Sequence, residues 1–288
     1  MRSRLSYHLG PVPPKQVESS LQLMISHPTL ELQKLFHNLG KFLFSIAIFE
    51  ALYHAAIAQF DAYITLGTYA FNHPEHTYPT LVKGDTVISA KEVGHPLVDP
   101  KKNVLNDFEI GKGRFCIVTG ANMAGKSTFL RAVGLQIVMA NMGLPVMGKE
   151  VKYAPVRLLT SMRSSDSLAD ETSYFYAELK RLKYFVEELE KEDCFVILDE
   201  ILKGTNSVDK AEGSKKFVKR LVQNGSTGMV ATHDLSLCTL ADELPEVENR
   251  YFDAQIVNGE LFFDYKFKEG VCQNMNASFL LKNMGIVD

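Results

Sequence analysis

The run FCIVTGANMAGKSTFL, residues 115–130, constrains this chain more tightly than any other stretch. Residues 115–119, apolar and partly β-branched, predict a short buried strand, and GANMAGKST follows it directly. That segment fits GxxxxGK[ST], with Gly120, Gly125, Lys126 and Ser127 in the required places. Glycines there let the backbone fold tightly enough for its N–H groups to converge on phosphate oxygens. A helix starting near Lys126 adds its N-terminal dipole, the lysine supplies a mobile cation for β- and γ-phosphates, and the Ser127 hydroxyl can ligate Mg²⁺. The prediction is a nucleoside triphosphate site. The helix behind it carries Phe129, Leu130, Val133, Ile137 and Val138 at helical spacing, a stripe that packs on a sheet.

CFVILDE, residues 194–200, is the second chemical signal. An apolar run closed by Asp199 and Glu200 has the form of a Walker B strand. At the exposed C-terminal end of such a strand Asp199 would hold magnesium through water, and Glu200 would polarise an attacking water. Residues 227–231 predict a further strand ending in Thr232, His233 and Asp234, and a histidine at that edge is placed to sense a γ-phosphate.

Composition bounds the rest. With 288 residues, 46% hydrophobic and 23% charged, the chain is long enough for one large domain and a smaller one. A net charge of −3 excludes a surface built throughout to grip a polyanion, so any nucleic-acid contact is local or made by other segments. Cys116, Cys194, Cys238 and Cys272 are too dispersed for a CxxC zinc or redox pair, and a reducing, cytoplasmic compartment is expected. Arg2 and Arg4 are followed by Pro11, Pro13 and Pro14 rather than by an apolar h-region, so no export signal is read.

Residues 1–20 read as an extended, proline-containing lead-in, and helix formers fill 21–71 with a loop at His27 and Pro28. Within them, 42–60 form an apolar run long enough to be weighed as a membrane span. Glu50 near its middle and His54 one turn on argue instead for a helix buried against the main domain, with no membrane partner. His73 and His76, in the proline-broken HPEH, read as loop histidines without a metal. Strands are expected at 86–88, 104–110 and 156–162, and a helix over 173–190 whose charged end is solvated. After a loop at 204–207, Lys210, Lys215, Lys216, Lys219 and Arg220 read as a solvated helical face. Residues 251–267 predict a hairpin turning at Asn258 and Gly259, a pair suited to a type I′ turn, and 277–283 a final helix. The expected fold class is α/β, three layers around a mostly parallel sheet, with residues 1–80 a helical segment packed on the domain at 81–288.

These motifs together resemble the MutS family of DNA mismatch repair ATPases. TGANMAGKST is similar to that family's TGPNMGGKST, including the Asn122–Met123 pair inside the loop. HPLV at 95–98 resembles its RHPVV, and VLND at 104–107 its VPND. SLADETSYFYAEL is similar to DLASGRSTFMVEM, aligning Ser173, Phe175 and Glu178, and LDEILKGTNS to MDEIGRGTST. The THD at 232–234, the YKFKEG at 265–270 and the FDAYITL at 60–66 resemble its THY, YKL and LDVL segments. The likeness covers most of residues 40–288 in family order.

The resemblance implies an ABC-type P-loop NTPase that binds and hydrolyses ATP with Mg²⁺ and works as a homodimer or as a heterodimer with a MutS-like partner. It assigns Gly120, Ala121, Asn122, Met123, Ala124, Gly125, Lys126, Ser127 and Thr128 to the phosphates. It gives Ser127 and Asp199 to the metal, Glu200 to the base and His233 to the sensor, with the VLND region near the nucleoside. In the family each nucleotide is completed by the other subunit's serine loop, here Ser173. Departures fall at Ala121 and Ala124, which replace proline and glycine, at Gly94, which replaces arginine, and at Glu171 and Thr172, which replace Gly-Arg and bring an acid near the partner's phosphates. The mismatch-reading domain and most clamp and lever helices have no counterpart, only the end of the helical core from about residue 20 to 80. A fragment of a longer protein or a divergent member is therefore expected, with DNA contacted mainly by segments outside this chain. Two functions follow: an ATP-hydrolysing dimerisation module coupling ATP state to a DNA clamp, or a low-turnover nucleotide-gated switch in another process. A transporter ATPase fits less well, because an LSGGQ-type signature is missing from the sequence.

Overall fold

The computed structural model describes residues 28–162, 171–202, 206–257 and 260–273, with side chains from Leu32 onward and, in the helix starting at Glu171, from Phe175 onward. The expectations for 1–20, for the Asn258–Gly259 turn and for the helix at 277–283 lie outside these residues. Two compact units divide the chain, Met1–Thr68 and Tyr69–Asp288.

Helix α1 (Pro28–Asn72) begins on a proline, whose fixed φ and missing N–H suit a first helical position. Within its own unit this helix leaves Phe42, Phe44, Phe49 and Phe60 all more than 60% exposed. Apolar side chains occupy every side of this stretch, so no single packing layer can cover it, whereas a surface helix concentrates them on one face. Its Leu32–Asn72 part is long and apolar enough to cross a membrane by length and composition alone. Lys34, Lys41, Glu50 and Asp61 interrupt it. The last turn belongs to the second unit. There the Tyr69 hydroxyl shares a hydrogen bond with His76 Nδ1 at 3.0 Å and lies 4.0 Å from Met139 Sδ.

The second unit is α/β with a largely parallel sheet. Strands β4 (Phe115–Gly120), β6 (Arg157–Ser161), β7 (Cys194–Asp199), β8 (Thr227–Ala231) and β9 (Val247–Phe252) pair in parallel in the order β9-β4-β8-β7-β6. The short strand β12 (Lys268–Glu269) adds antiparallel to β9. Every residue of β4, β7 and β8 is buried, the pattern of strands covered on both faces. Helix α2 (Lys126–Asn141) covers one face, where a Cβ on Gly134 would sit 3.3 Å from Ile197 Cδ1. On the other, Phe115, Ile117, Val196 and Leu198 form a core with Leu182 and Phe185 of α3 (Glu171–Leu189) and Val218 and Leu221 of α4 (Ser207–Gln223). Residues alternate between these faces because strand side chains have a period of two.

A second sheet joins β1 (Thr80–Leu81), β5 (Lys149–Tyr153), β2 (Thr86–Val93) and β3 (Asn106–Gly111), with β2 antiparallel to both β3 and β5. Sequence periodicity finds β2 and β3 but not their separate sheet, because partner choice is long-range. The hairpin expected over 251–267 shrinks to β10 (Gln255–Val257) and β11 (Glu260–Phe262). Tyr251 and Phe252 instead close β9, pairing in parallel with Thr119 and Gly120.

Candidate functional site

Strands β4, β7 and β8 all end on one edge of the parallel sheet, where ligands enter open α/β folds. From β4 the chain turns at Gly120, whose φ of +144° suits a residue without a side chain. A Cβ there would come 2.4 Å from the Phe252 carbonyl oxygen of neighbouring β9. At the far end of the loop Gly125, with φ +108°, sits at the N-cap of α2 and no side chain caps the helix. The first N–H groups of α2 are thereby left for an anion. Lys126 is buried, and its Nζ donates to the carbonyls of Gly120 at 2.7 Å and Ala121 at 2.9 Å. The loop is thus folded around its own lysine.

A cavity of about 830 Å³ opens here. Asn122, Met123, Gly125, Lys126, Ser127 and Thr128 line one side, and Glu200 and His233 meet them from β7 and β8. Of the remaining loop residues assigned to phosphate, Gly120, Ala121 and Ala124 are not in the wall, and Ala124 is fully buried behind it. Ser173 falls in the first turn of α3 with its side chain outside the described residues, as do Gly204 and Thr205 entirely.

Glu200 and His233 form a pair, with Nε2 to Oε1 at 2.8 Å. The Glu200 side chain is only 12% exposed. Its N–H donates to the Ala231 carbonyl at 2.9 Å, tying the end of β7 to β8. Asp199 is buried and outside the cavity wall, and its Oδ2 has no hydrogen-bond partner among the described residues. An unsatisfied buried carboxylate oxygen is costly, and a cation is what such an oxygen accommodates. The donor set of Asp199 and the Ser127 hydroxyl is the hard-oxygen type that Mg²⁺ takes.

The opposite wall was legible from sequence only in part, at VLND, whose Val104 and Asn106 line it. His95, Asn103, Val104 and Asn106 line it, with Phe252 and Tyr265. Asn103 clamps His95, donating from Nδ2 to the His95 carbonyl at 2.9 Å and accepting from its N–H at 3.3 Å. Burial, and secondarily the Arg131 charge, hold the His95 imidazole below its ordinary pKa of 6.5. Asn106 donates from Nδ2 to the Tyr265 carbonyl at 3.0 Å and accepts from the Phe267 N–H at 2.8 Å. This seats the 265–267 segment, and Tyr265 with φ +52°, beside the phosphate loop. The asparagine of VLND was the available signal; its partner lies 159 residues away and leaves no local trace.

His73, Glu75 and His76 bring ligand-type atoms within 4.8 Å of one another. The two rings stack, with centroids 4.7 Å apart and planes at 13°. Lone pairs in near-parallel rings run side by side instead of meeting at one point, as a tetrahedral metal requires. We read the cluster as a stacked, hydrogen-bonded turn at the end of α1.

Residues 116–282 match the family model described as MutS domain V. DNA mismatch repair protein Msh2 of Dictyostelium discoideum is 34% identical over 187 residues, covering 62% of this chain and 20% of that protein. DNA mismatch repair protein MutS of Thermotoga maritima is 30% identical over 237 residues, covering 81% of this chain and 29% of that protein. MutS of Bacillus velezensis is 29% identical over 222 residues, with 74% and 25% covered. The chain therefore spans less than a third of the length of these curated relatives. With the domain V match extending over more than half of its 288 residues, the chain belongs to the MutS family.

Proposed function

We propose that residues 69–288 form an ABC-type P-loop NTPase that binds ATP with Mg²⁺ and hydrolyses it to ADP and phosphate. The observation that carries this reading is the convergence of Lys126, Ser127 and Thr128 with the Glu200–His233 pair on one cavity large enough for a nucleotide. The N-terminus of α2 and the loop N–H groups receive the phosphates, and Lys126 exchanges its loop carbonyls for the β- and γ-phosphate oxygens. Ser127 and Asp199 hold Mg²⁺, which when bound neutralises charge building on the phosphates. Glu200 takes the proton of the attacking water, and His233 orients that carboxylate and senses the γ-phosphate.

The module acts as a dimer, with a second copy or a MutS-like partner, in which Ser173 of one subunit completes the other's nucleotide site. ATP binding closes the pair and hydrolysis releases it, since a ligand held only by the closed form stabilises that form by mass action. In a DNA mismatch repair setting this would couple ATP state to a clamp whose DNA contacts come mainly from other segments. The cytoplasm suits its thiols: burial raises the pKa of Cys116, Cys194 and Cys238, the last to about 11, so they act as inert apolar groups.

The second reading, a low-turnover assembly switch, draws on Lys126: its two short bonds to loop carbonyls must be broken before it reaches a phosphate. Light scattering of Glu200→Gln, with and without ATP and Mg²⁺, tests the proposal. A shift to twice the mass is expected, because the amide keeps bound ATP intact. A variant that binds ATP and stays monomeric refutes the dimer, and steady-state phosphate release unchanged by Glu200→Gln leaves only the switch.

A further inference from the structure

The two residues that follow β7 with positive φ are not glycines: Glu200 lies at +52° and Leu202 at +59°. Left-handed backbone is disfavoured for an ordinary side chain and persists only where surroundings impose it. Here Ile201 and Leu202 are driven into the core against α3 and α4. The Leu202 N–H is then taken by Glu178, whose Oε1 accepts it at 2.8 Å from α3. Glu200 is thus fixed from three directions, by the Ala231 carbonyl at its own N–H, by His233 at its carboxylate and by Glu178 just beyond.

We propose that Glu178 is a positioning residue for hydrolysis, the clamp by which α3 holds the Glu200 backbone turn in its left-handed form and so aims the Glu200 carboxylate. The inference rests on Glu200 as the base. It gives a second role to the helix that carries Ser173 in its first turn. A displacement of α3 by a partner's nucleotide would reach Glu200 through the Glu178–Leu202 bond. Glu178 does not line the cavity, so its loss should spare ATP binding.

The test compares wild type, Glu178→Ala, Glu178→Gln and Glu200→Gln by equilibrium Mg-ATP binding and single-turnover hydrolysis. Glu178→Ala should bind ATP within about twofold of wild type yet hydrolyse it about 10- to 100-fold more slowly, the scale of a reacting group misplaced by about an ångström. Glu178→Gln, which keeps an acceptor oxygen for Leu202, should recover most of that loss. Wild-type hydrolysis in Glu178→Ala, or equal loss in Glu178→Ala and Glu178→Gln, overturns the inference. A second readout needs no turnover: the His233 ring resonances in the full chain should move in Glu178→Ala toward those of Glu200→Gln. Unmoved His233 resonances overturn the clamp, whereas wild-type hydrolysis in Glu200→Gln overturns the base.

Discussion

Two loops border the cavity and reach unusual backbone conformations by opposite means. The phosphate loop takes positive φ at Gly120 and Gly125, where glycine pays little for it, and its geometry is written into local sequence. Met123, at +67° and 81% exposed, is its one non-glycine exception. The turn after β7 takes positive φ at Glu200 and Leu202, against their local preference, and is held by the core and by Glu178. The first loop takes its shape from its own glycines; the second has its shape imposed by residues distant in sequence. Mutations should accordingly act on folding and binding at the first and on chemistry at the second.

Glu200→Gln gives the largest expected effect. Turnover should fall about 10²- to 10⁴-fold with ATP affinity kept, read by phosphate release against equilibrium binding. Gly120→Ala comes next and attacks the other loop. The new Cβ would overlap the Phe252 carbonyl at 2.4 Å in a left-handed conformation, costing about 2–4 kcal/mol in chemical denaturation together with ATP binding. Equal stability of Gly120→Ala and wild type would mean that the glycine loop is not constrained by β9 at all.

Asp199→Asn is expected to raise stability in divalent-free buffer by about 1 kcal/mol, because it replaces a buried carboxylate whose Oδ2 has no hydrogen-bond partner among the described residues. The same variant should lose the further melting-temperature rise that Mg²⁺ with ATP gives wild type. A destabilised Asp199→Asn would indicate that the carboxylate is already satisfied by the fold.

The smallest effect concerns the far wall. Burial lowers the native pKa of His95 below 6.5, so its unfolded form takes a proton first. Its contribution to stability is present above pH 6.5 and is lost as pH falls through the lower native value. His95→Asn should flatten urea-denaturation stability over that window, and a slope identical to wild type would remove His95 as the titrating group.

Much of the near side of the cavity was legible in advance. Gly120, Gly125, Lys126, Ser127, Glu200 and His233 stand at fixed distances from apolar strand runs, and the edge where parallel strands end collects whatever follows them. The far side was legible only at VLND, since Phe252, Tyr265 and His95 arrive from β9, from the segment before β12 and from the turn after β2. For the apolar run at 42–60, composition says that burial is favourable without naming the surface that covers it.

Local sequence thus determined the strand–loop–helix unit at 115–141, the acidic strand end at 199–200 and membership of a MutS-like chain, because spacing and backbone freedom are properties of neighbouring residues. Only the tertiary structure decided that Tyr251 and Phe252 join the parallel sheet, that Asn106 seats Tyr265, and that Glu178 holds the turn carrying Glu200. Each of these joins groups far apart in sequence, and their hydrogen bonds form only once packing of the core has already met the entropy of bringing them together.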